Sequence, residues 1–135
     1  MSSFPFMHCA RLPARILLVD DEGPFRESLA EMLRDDGHQV LEYSEPAEVP
    51  PLTDLDGIGL LLTDYDMPGK NGLAFADEFH ARCPGIPILL VTAYPGGLDT
   101  EVARRPFLRM ILKPVGYDAL HRMIHECVAP GSVSE

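Results

Sequence analysis

Four short, largely apolar runs punctuate this chain, and each stops at a polar residue. They are Ile16-Leu17-Leu18-Val19 before Asp20, Ile58 to Leu62 before Thr63-Asp64, Ile86 to Val91 before Thr92, and Leu108 to Leu112 before Lys113. Runs of this length, bounded by turn residues, read as strands buried on both faces of a parallel sheet. A fifth segment, Gln39 to Tyr43, alternates and reads as a shorter strand close to an edge.

Between the runs the apolar period changes to that of a helix. Phe25, Leu29, Met32 and Leu33 recur at helical spacing after Gly23-Pro24, and Asp35-Asp36-Gly37 stops them. Leu73, Ala76, Phe79 and Cys83 mark a helix closed by Pro84-Gly85, and a short helix fits residues 98–104. Leu120, Met123, Ile124, Cys127 and Val128 form the stripe of the last helix, closed by Pro130-Gly131. The segment 44–57 carries Pro46, Pro50 and Pro51, so a single turn or an irregular crossover is expected there. Strands alternating with helices imply right-handed βαβ units. The expected fold is α/β, a flavodoxin-like doubly wound sheet of five parallel strands, order 2-1-3-4-5, with helices on both faces. The expected division is an irregular arm over residues 1–14, one domain over 15–129 and a tail over 130–135.

Composition narrows the class without naming it. With 135 residues the chain is long enough for one core, and its 46% hydrophobic content is that of an ordinary soluble domain. A formal charge of −10 argues against nucleic acid or an anionic membrane as a direct partner and suits a cation or a basic surface. Cys9, Cys83 and Cys127 are too scattered for a disulfide framework or a CxxC metal site and read as small core hydrophobes. No signal-peptide core or membrane-length apolar stretch occurs, so a cytoplasmic protein is expected.

In such a sheet the polar ends of the runs converge on one edge, near the switch point between strands one and three. Asp20, Asp21 and Asp64 would lie close together there, opposite Thr92 and Lys113. Adjacent carboxylates repel and need a cation or a shifted pKa; oxygen donors of this kind suit Mg²⁺. A lysine and a hydroxyl facing them can hold the oxygens of a phosphoryl group. The alternatives for single residues are a turn aspartate at Asp64 and acidic residues at a helix start for Asp20-Asp21-Glu22. Gly69-Lys70 lacks the rest of a phosphate loop. His121 and His125 have zinc-compatible spacing but no evident third ligand, and read as a solvated face.

Taken together, Ile-Leu-Leu-Val-Asp-Asp-Glu, Leu-Leu-Thr-Asp-Tyr-Asp-Met-Pro-Gly-Lys-Asn-Gly, Val-Thr-Ala-Tyr and Leu-Lys-Pro resemble the receiver domain of two-component response regulators. The resemblance runs from about Arg15 to Val128. It implies that Asp64 accepts a phosphoryl group from the phosphohistidine of a sensor histidine kinase or phosphotransfer protein. It implies Asp21 as a direct Mg²⁺ ligand, Asp20 as a helper through water, and Asp66 as a donor of its main-chain carbonyl. Thr92 and Lys113 would hold phosphoryl oxygens. The output would be a partner-binding face of the family's fourth helix, fifth strand and fifth helix, with a downstream protein or output domain unspecified and a homodimer left open.

Two positions depart from the family. Met110 stands where receivers usually carry Tyr or Phe, which leaves the coupling weakened or carried by another residue, Tyr94 among the candidates. The proline-rich second crossover replaces a regular helix. Two rival readings remain: a pseudo-receiver that binds partners without phosphorylation, and a phosphohydrolase using Asp64-x-Asp66.

Overall fold

In the computed structural model, residues 13–93 and 96–128 are described. The arm up to residue 12, Cys9, Tyr94, and the tail after Val128 with its Pro130-Gly131 closure all lie outside the described residues. The strands are β1 (Arg15–Val19), β2 (Gln39–Tyr43), β3 (Leu60–Thr63), β4 (Ile88–Thr92) and β5 (Leu108–Leu112). The helices are α1 (Gly23–Asp35), α2 (Gly72–Arg82), α3 (Asp99–Ala103) and α4 (Tyr117–Val128). All strand pairs are parallel and the order is β2-β1-β3-β4-β5, the doubly wound order expected from the sequence.

Alternation along the buried strands builds two cores. Ile16, Leu18, Leu60, Leu62, Leu89 and Val91 face Leu29, Ala30 and Leu33 of α1 and Leu120, Ile124 and Val128 of α4. Their neighbours Leu17, Val19, Leu61, Ile88 and Leu90 face Phe75, Ala76 and Phe79 of α2. Because both faces are covered, residues 16–19, 60–62 and 88–91 carry no polar residue before the carboxyl edge. Asp64 therefore stands just after β3 rather than within it. By contrast β5, at the sheet's edge, is not doubly buried: it carries the exposed Arg109 and leaves Leu112 45% exposed.

The local signals explain the helix boundaries. The side chain of Asn71 caps α2 by accepting from Ala74 N–H at 2.9 Å. Gly37, at φ +95°, ends the turn after α1, with His38 N–H donating to the Leu33 carbonyl at 3.1 Å. The second crossover contains two 3₁₀ turns, Pro46–Glu48 and Leu52–Asp54, because its prolines deny an α-helix its donors. Val49 and Leu55 from this segment still pack against the α2-side core.

Several expected core positions move. Met32 is 40% exposed, since Leu29 and Leu33 take the sheet-facing stripe of α1 and leave Met32 at its margin. Phe75, which the sequence reading passed over, is buried, whereas Leu73 is only half-buried. The shift places α2's stripe at Phe75, Ala76 and Phe79. Cys83 and Cys127 are free thiols, half-buried against the two cores as expected of small hydrophobes.

The start of α2 presses on the segment after β3. A Cβ added to Gly72 would lie 2.1 Å from the Asp64 carbonyl oxygen and 2.8 Å from Tyr65 Cα, both backbone atoms. Gly72 N–H also donates to the Tyr65 carbonyl at 2.7 Å. Gly72→Ala is expected to destabilise the fold by about 3 kcal/mol, near the upper end of overpacking costs, because main chain must move. Urea unfolding at constant m-value reads this directly; a change below about 0.5 kcal/mol would contradict so close an approach.

Candidate functional site

The register sets the site. Val19 pairs with Thr63, so the residues that follow, Asp20 and Asp64, emerge side by side. Asp64 N–H donates to the Val19 carbonyl at 2.9 Å, which holds the two strand ends together. Thr92 pairs with Leu112, and Lys113 N–H donates to the Thr92 carbonyl at 2.8 Å. Lys113 then precedes Pro114 through a cis peptide bond.

Asp20, Asp64 and Thr92 are buried, at 1%, 7% and 1% exposure, while Asp21 is exposed. Carboxylate oxygens of Asp20, Asp21 and Asp64 lie within 4.8 Å of one another. Lys113 Nζ stands 3.0 Å from Asp20 Oδ2, 3.2 Å from Glu22 Oε1 and 3.6 Å from Asp64 Oδ2. Asp21, Asp64, Asp66, Thr92 and Lys113 line one cavity of about 630 Å³, with Glu22, Met67, Pro68 and Ala93. The fold thus assembles all of the expected polar residues. Asp20 is the one that turns inward, accepting from Glu22 N–H at 2.8 Å and pairing with Lys113.

Two contributors were missed in sequence. The Lys113 ammonium lies 4.3 Å from the centre of the Phe25 ring, a cation–π contact from a residue read only as helix stripe. Glu22 was grouped with Asp20 and Asp21 as acidic residues at a helix start, yet it pairs with Lys113 and stands at the N-cap of α1 rather than lying in its first turn. Nothing in a linear pattern marks Phe25, since the contact joins the first helix to the last strand.

Electrostatics match this crowding. Burial pushes the Asp64 carboxyl up to about 6; Asp20 adds to the rise, Lys113 and the Tyr65 N–H oppose it, and Asp21 raises it further. Burial also works against the charge of Lys113, but Asp20, Asp64 and Glu22 outweigh it and hold the ammonium pKa above its ordinary value. One ammonium serves several carboxylates, so negative charge is in excess. Three hard oxygen donors at this spacing fit a small divalent cation such as Mg²⁺ and do not fit a soft metal.

Other sequence candidates fall elsewhere. Lys70 pairs with Glu78 of α2 instead of facing a phosphate. Met110 is half-buried opposite Leu90, on the core side of β5 that faces α2. No helix among the described residues is long and apolar enough to cross a membrane.

The family model of the response regulator receiver domain matches residues 16–125. This chain belongs to that family. The receiver is 31% identical over 111 residues to the response regulator protein FleR of Pseudomonas aeruginosa, covering 81% of this chain and 23% of that one. It is 37% identical over 102 residues to a response regulator receiver protein of Anaeromyxobacter, covering 75% of this chain and 43% of that one. The chain therefore spans less than half the length of these two relatives. Among solved structures, the response regulator TrrA of Thermotoga maritima in complex with Mg²⁺–BeF superposes with a TM-score of 0.75 at 27% identity, covering 84% of this chain and 98% of that one.

The raised Asp64 pKa has a consequence for stability in metal-free buffer. A carboxyl whose pKa is higher folded than unfolded favours folding when protonated and opposes it when ionised. Below about pH 4 the group is neutral in both states and there is no penalty; the penalty grows up to about pH 6 and is constant above. A rise from 3.8 to about 6 corresponds to at most about 3 kcal/mol. Asp64→Asn is therefore expected to be more stable than wild type at pH 7.5 with EDTA, with the advantage shrinking towards pH 4. Paired urea titrations across that range check it, and a pH-independent difference would contradict it.

Proposed function

We propose that this receiver accepts a phosphoryl group on Asp64, with Mg²⁺, from the phosphohistidine of a sensor histidine kinase or phosphotransfer protein. The observation that carries the reading is the convergence of a buried carboxylate of raised pKa with the carboxylates of Asp20 and Asp21, a half-buried lysine and a buried threonine at the mouth of one cavity. Asp21 and Asp64 would hold the cation directly, Asp20 through water, and Asp66 by its main-chain carbonyl. Bound there, Mg²⁺ supplies charge compensation for the phosphoryl oxygens.

The residues divide the work. The Asp64 carboxylate attacks phosphorus, the P–N bond to the donor imidazole breaks, and an acyl phosphate forms as the freed imidazole nitrogen takes a proton. Its raised pKa makes Asp64 a more basic, better nucleophile, yet still one largely ionised at pH 7.5. Lys113 and the Thr92 hydroxyl receive the developing charge on the equatorial oxygens. Once Asp64 carries the phosphoryl group, Lys113 has new anionic partners, which redistributes its contacts with Asp20 and Glu22. That change would bias the face built from α3, β5 and α4, which match the family's fourth helix, fifth strand and fifth helix because the second crossover here has no α-helix.

One phosphoryl group is held per site, so the domain acts as a switch rather than a turnover enzyme, and a phosphohistidine donor places it in the cytoplasm. The chain as a whole carries a net charge of −10, which favours a protein partner over nucleic acid.

Intact mass after incubation with acetyl phosphate and Mg²⁺ tests the reading. One added phosphoryl group is expected on wild type, absent with chelator and absent from Asp64→Asn. No adduct together with no consumption of acetyl phosphate, while Mg²⁺ binds, would overturn it in favour of a pseudo-receiver. Steady hydrolysis of phosphate monoesters would overturn it in favour of a phosphohydrolase.

A further inference from the structure

His121 and His125 are four residues apart on α4, so their rings share one helix face. The third group that the sequence did not reveal comes from α1. Asp36, the residue that caps the carboxyl end of α1, reaches across the seam and places Oδ2 3.1 Å from His121 Nδ1. The Tyr117 hydroxyl donates to the same oxygen. His121 Nδ1 is buried and makes no hydrogen bond, so it stands beside a carboxylate oxygen without being aligned to it.

One turn further, the His125 ring centre lies 4.4 Å from that of His121. His125 Nδ1 is 3.2 Å from the His121 carbonyl oxygen. Donation by Nδ1 to that carbonyl leaves the lone pair on Nε2, the tautomer in which a histidine binds a metal while a main-chain carbonyl orients its ring.

We propose that His121, His125 and Asp36 bind a divalent transition-metal cation, with Zn²⁺ as the best match, at the seam of α1 and α4. Two imidazole nitrogens and one carboxylate oxygen, with water at the fourth position, make a tetrahedral donor set. Imidazole donors select against Mg²⁺, so the two sites differ in chemistry as well as place. They also lie at opposite ends of α1, whose 13 residues span about 20 Å. Tyr117 takes the supporting role of an outer-shell group on the carboxylate. Its hydrogen bond, with the nearby His121 and His38, holds the Asp36 carboxyl below the usual range and keeps it an anion. His38 is not a competing ligand, since its Nδ1 accepts from Ala14 N–H at 2.9 Å.

Among the described residues, the only three such groups already converged within 4.8 Å are Asp20, Asp21 and Asp64. The second site therefore closes by a shift of the exposed His125 side chain. Closure joins the end of α1 to α4, one of the helices of the proposed output face.

Calorimetric titration of the full chain with ZnCl₂, in buffer saturated with Mg²⁺ to occupy the carboxylate cluster, tests the site. One equivalent is expected to bind, and His125→Ala and Asp36→Asn are each expected to weaken it about tenfold or more. Asp64→Asn and Cys127→Ser are expected to bind as wild type does. His125 is exposed, and an unchanged circular dichroism spectrum of its variant separates lost ligation from lost fold. No binding by wild type, or binding unchanged in His125→Ala, would overturn the proposal. Loss of the site in Asp64→Asn would assign the metal to the carboxylate cluster and overturn it equally.

Discussion

Asp20 and Asp64 share the ammonium of Lys113 in a place where water barely reaches, and most of the architecture serves that contact. A buried charge without a partner is costly, so two carboxylates and a lysine must meet or none can be buried. They meet because strands covered on both faces bring their ends to one edge in fixed register. The balance is incomplete. Asp64 is raised by burial first and by Asp20 and Asp21 besides, and Lys113 is raised by its carboxylate neighbours despite burial, so negative charge exceeds the single cation. That surplus is the physical basis for reading the pocket as a cation and phosphoryl site rather than a structural ion pair.

The elements around the pocket transmit its constraints outward. Gly72 lets α2 press against the main chain of Asp64 and Tyr65, so the segment after β3 is held in place. Phe25 supports Lys113 from α1. On the far side of α2, Arg105 binds both carboxylate oxygens of Asp77 at 2.8 Å and also reaches Glu101, tying α3 to α2. The short α3 buries none of its own five residues fully, so this bridge, the half-buried Val102 and the buried Leu98 at its start hold it. A helix held by so few contacts is the sort of low-stability element on which a local charge event can act.

The second crossover shows how composition redirects a fold without changing its topology. Pro46, Pro50 and Pro51 remove donors and fix backbone angles, leaving 3₁₀ turns in place of a helix. Val49 and Leu55 nevertheless cover the sheet face beside Leu41 and Tyr43. The sheet order survives because it depends on the buried strands and on the hand of the crossover, not on the crossover's internal regularity.

The three central strands, the parallel order and the acidic edge were legible in the sequence, because a strand buried on both faces must be apolar throughout and its polar end is visible as an abrupt change in pattern. The strands at the sheet's edges, β2 and β5, carry polar residues within them. Helix faces were less legible: Met32 was expected inside and Phe75 was passed over, because a 100° stripe drifts and only packing decides which margin is covered. What the linear pattern by itself determined was which residues stand at the sheet's carboxyl edge. What only the tertiary structure decided was who meets whom across long separations: Phe25 beneath Lys113, Arg105 against Asp77, Asp36 beside His121. Periodicity records how each segment relates to the core, whereas such pairs arise from how segments lie against each other, and no local pattern encodes that.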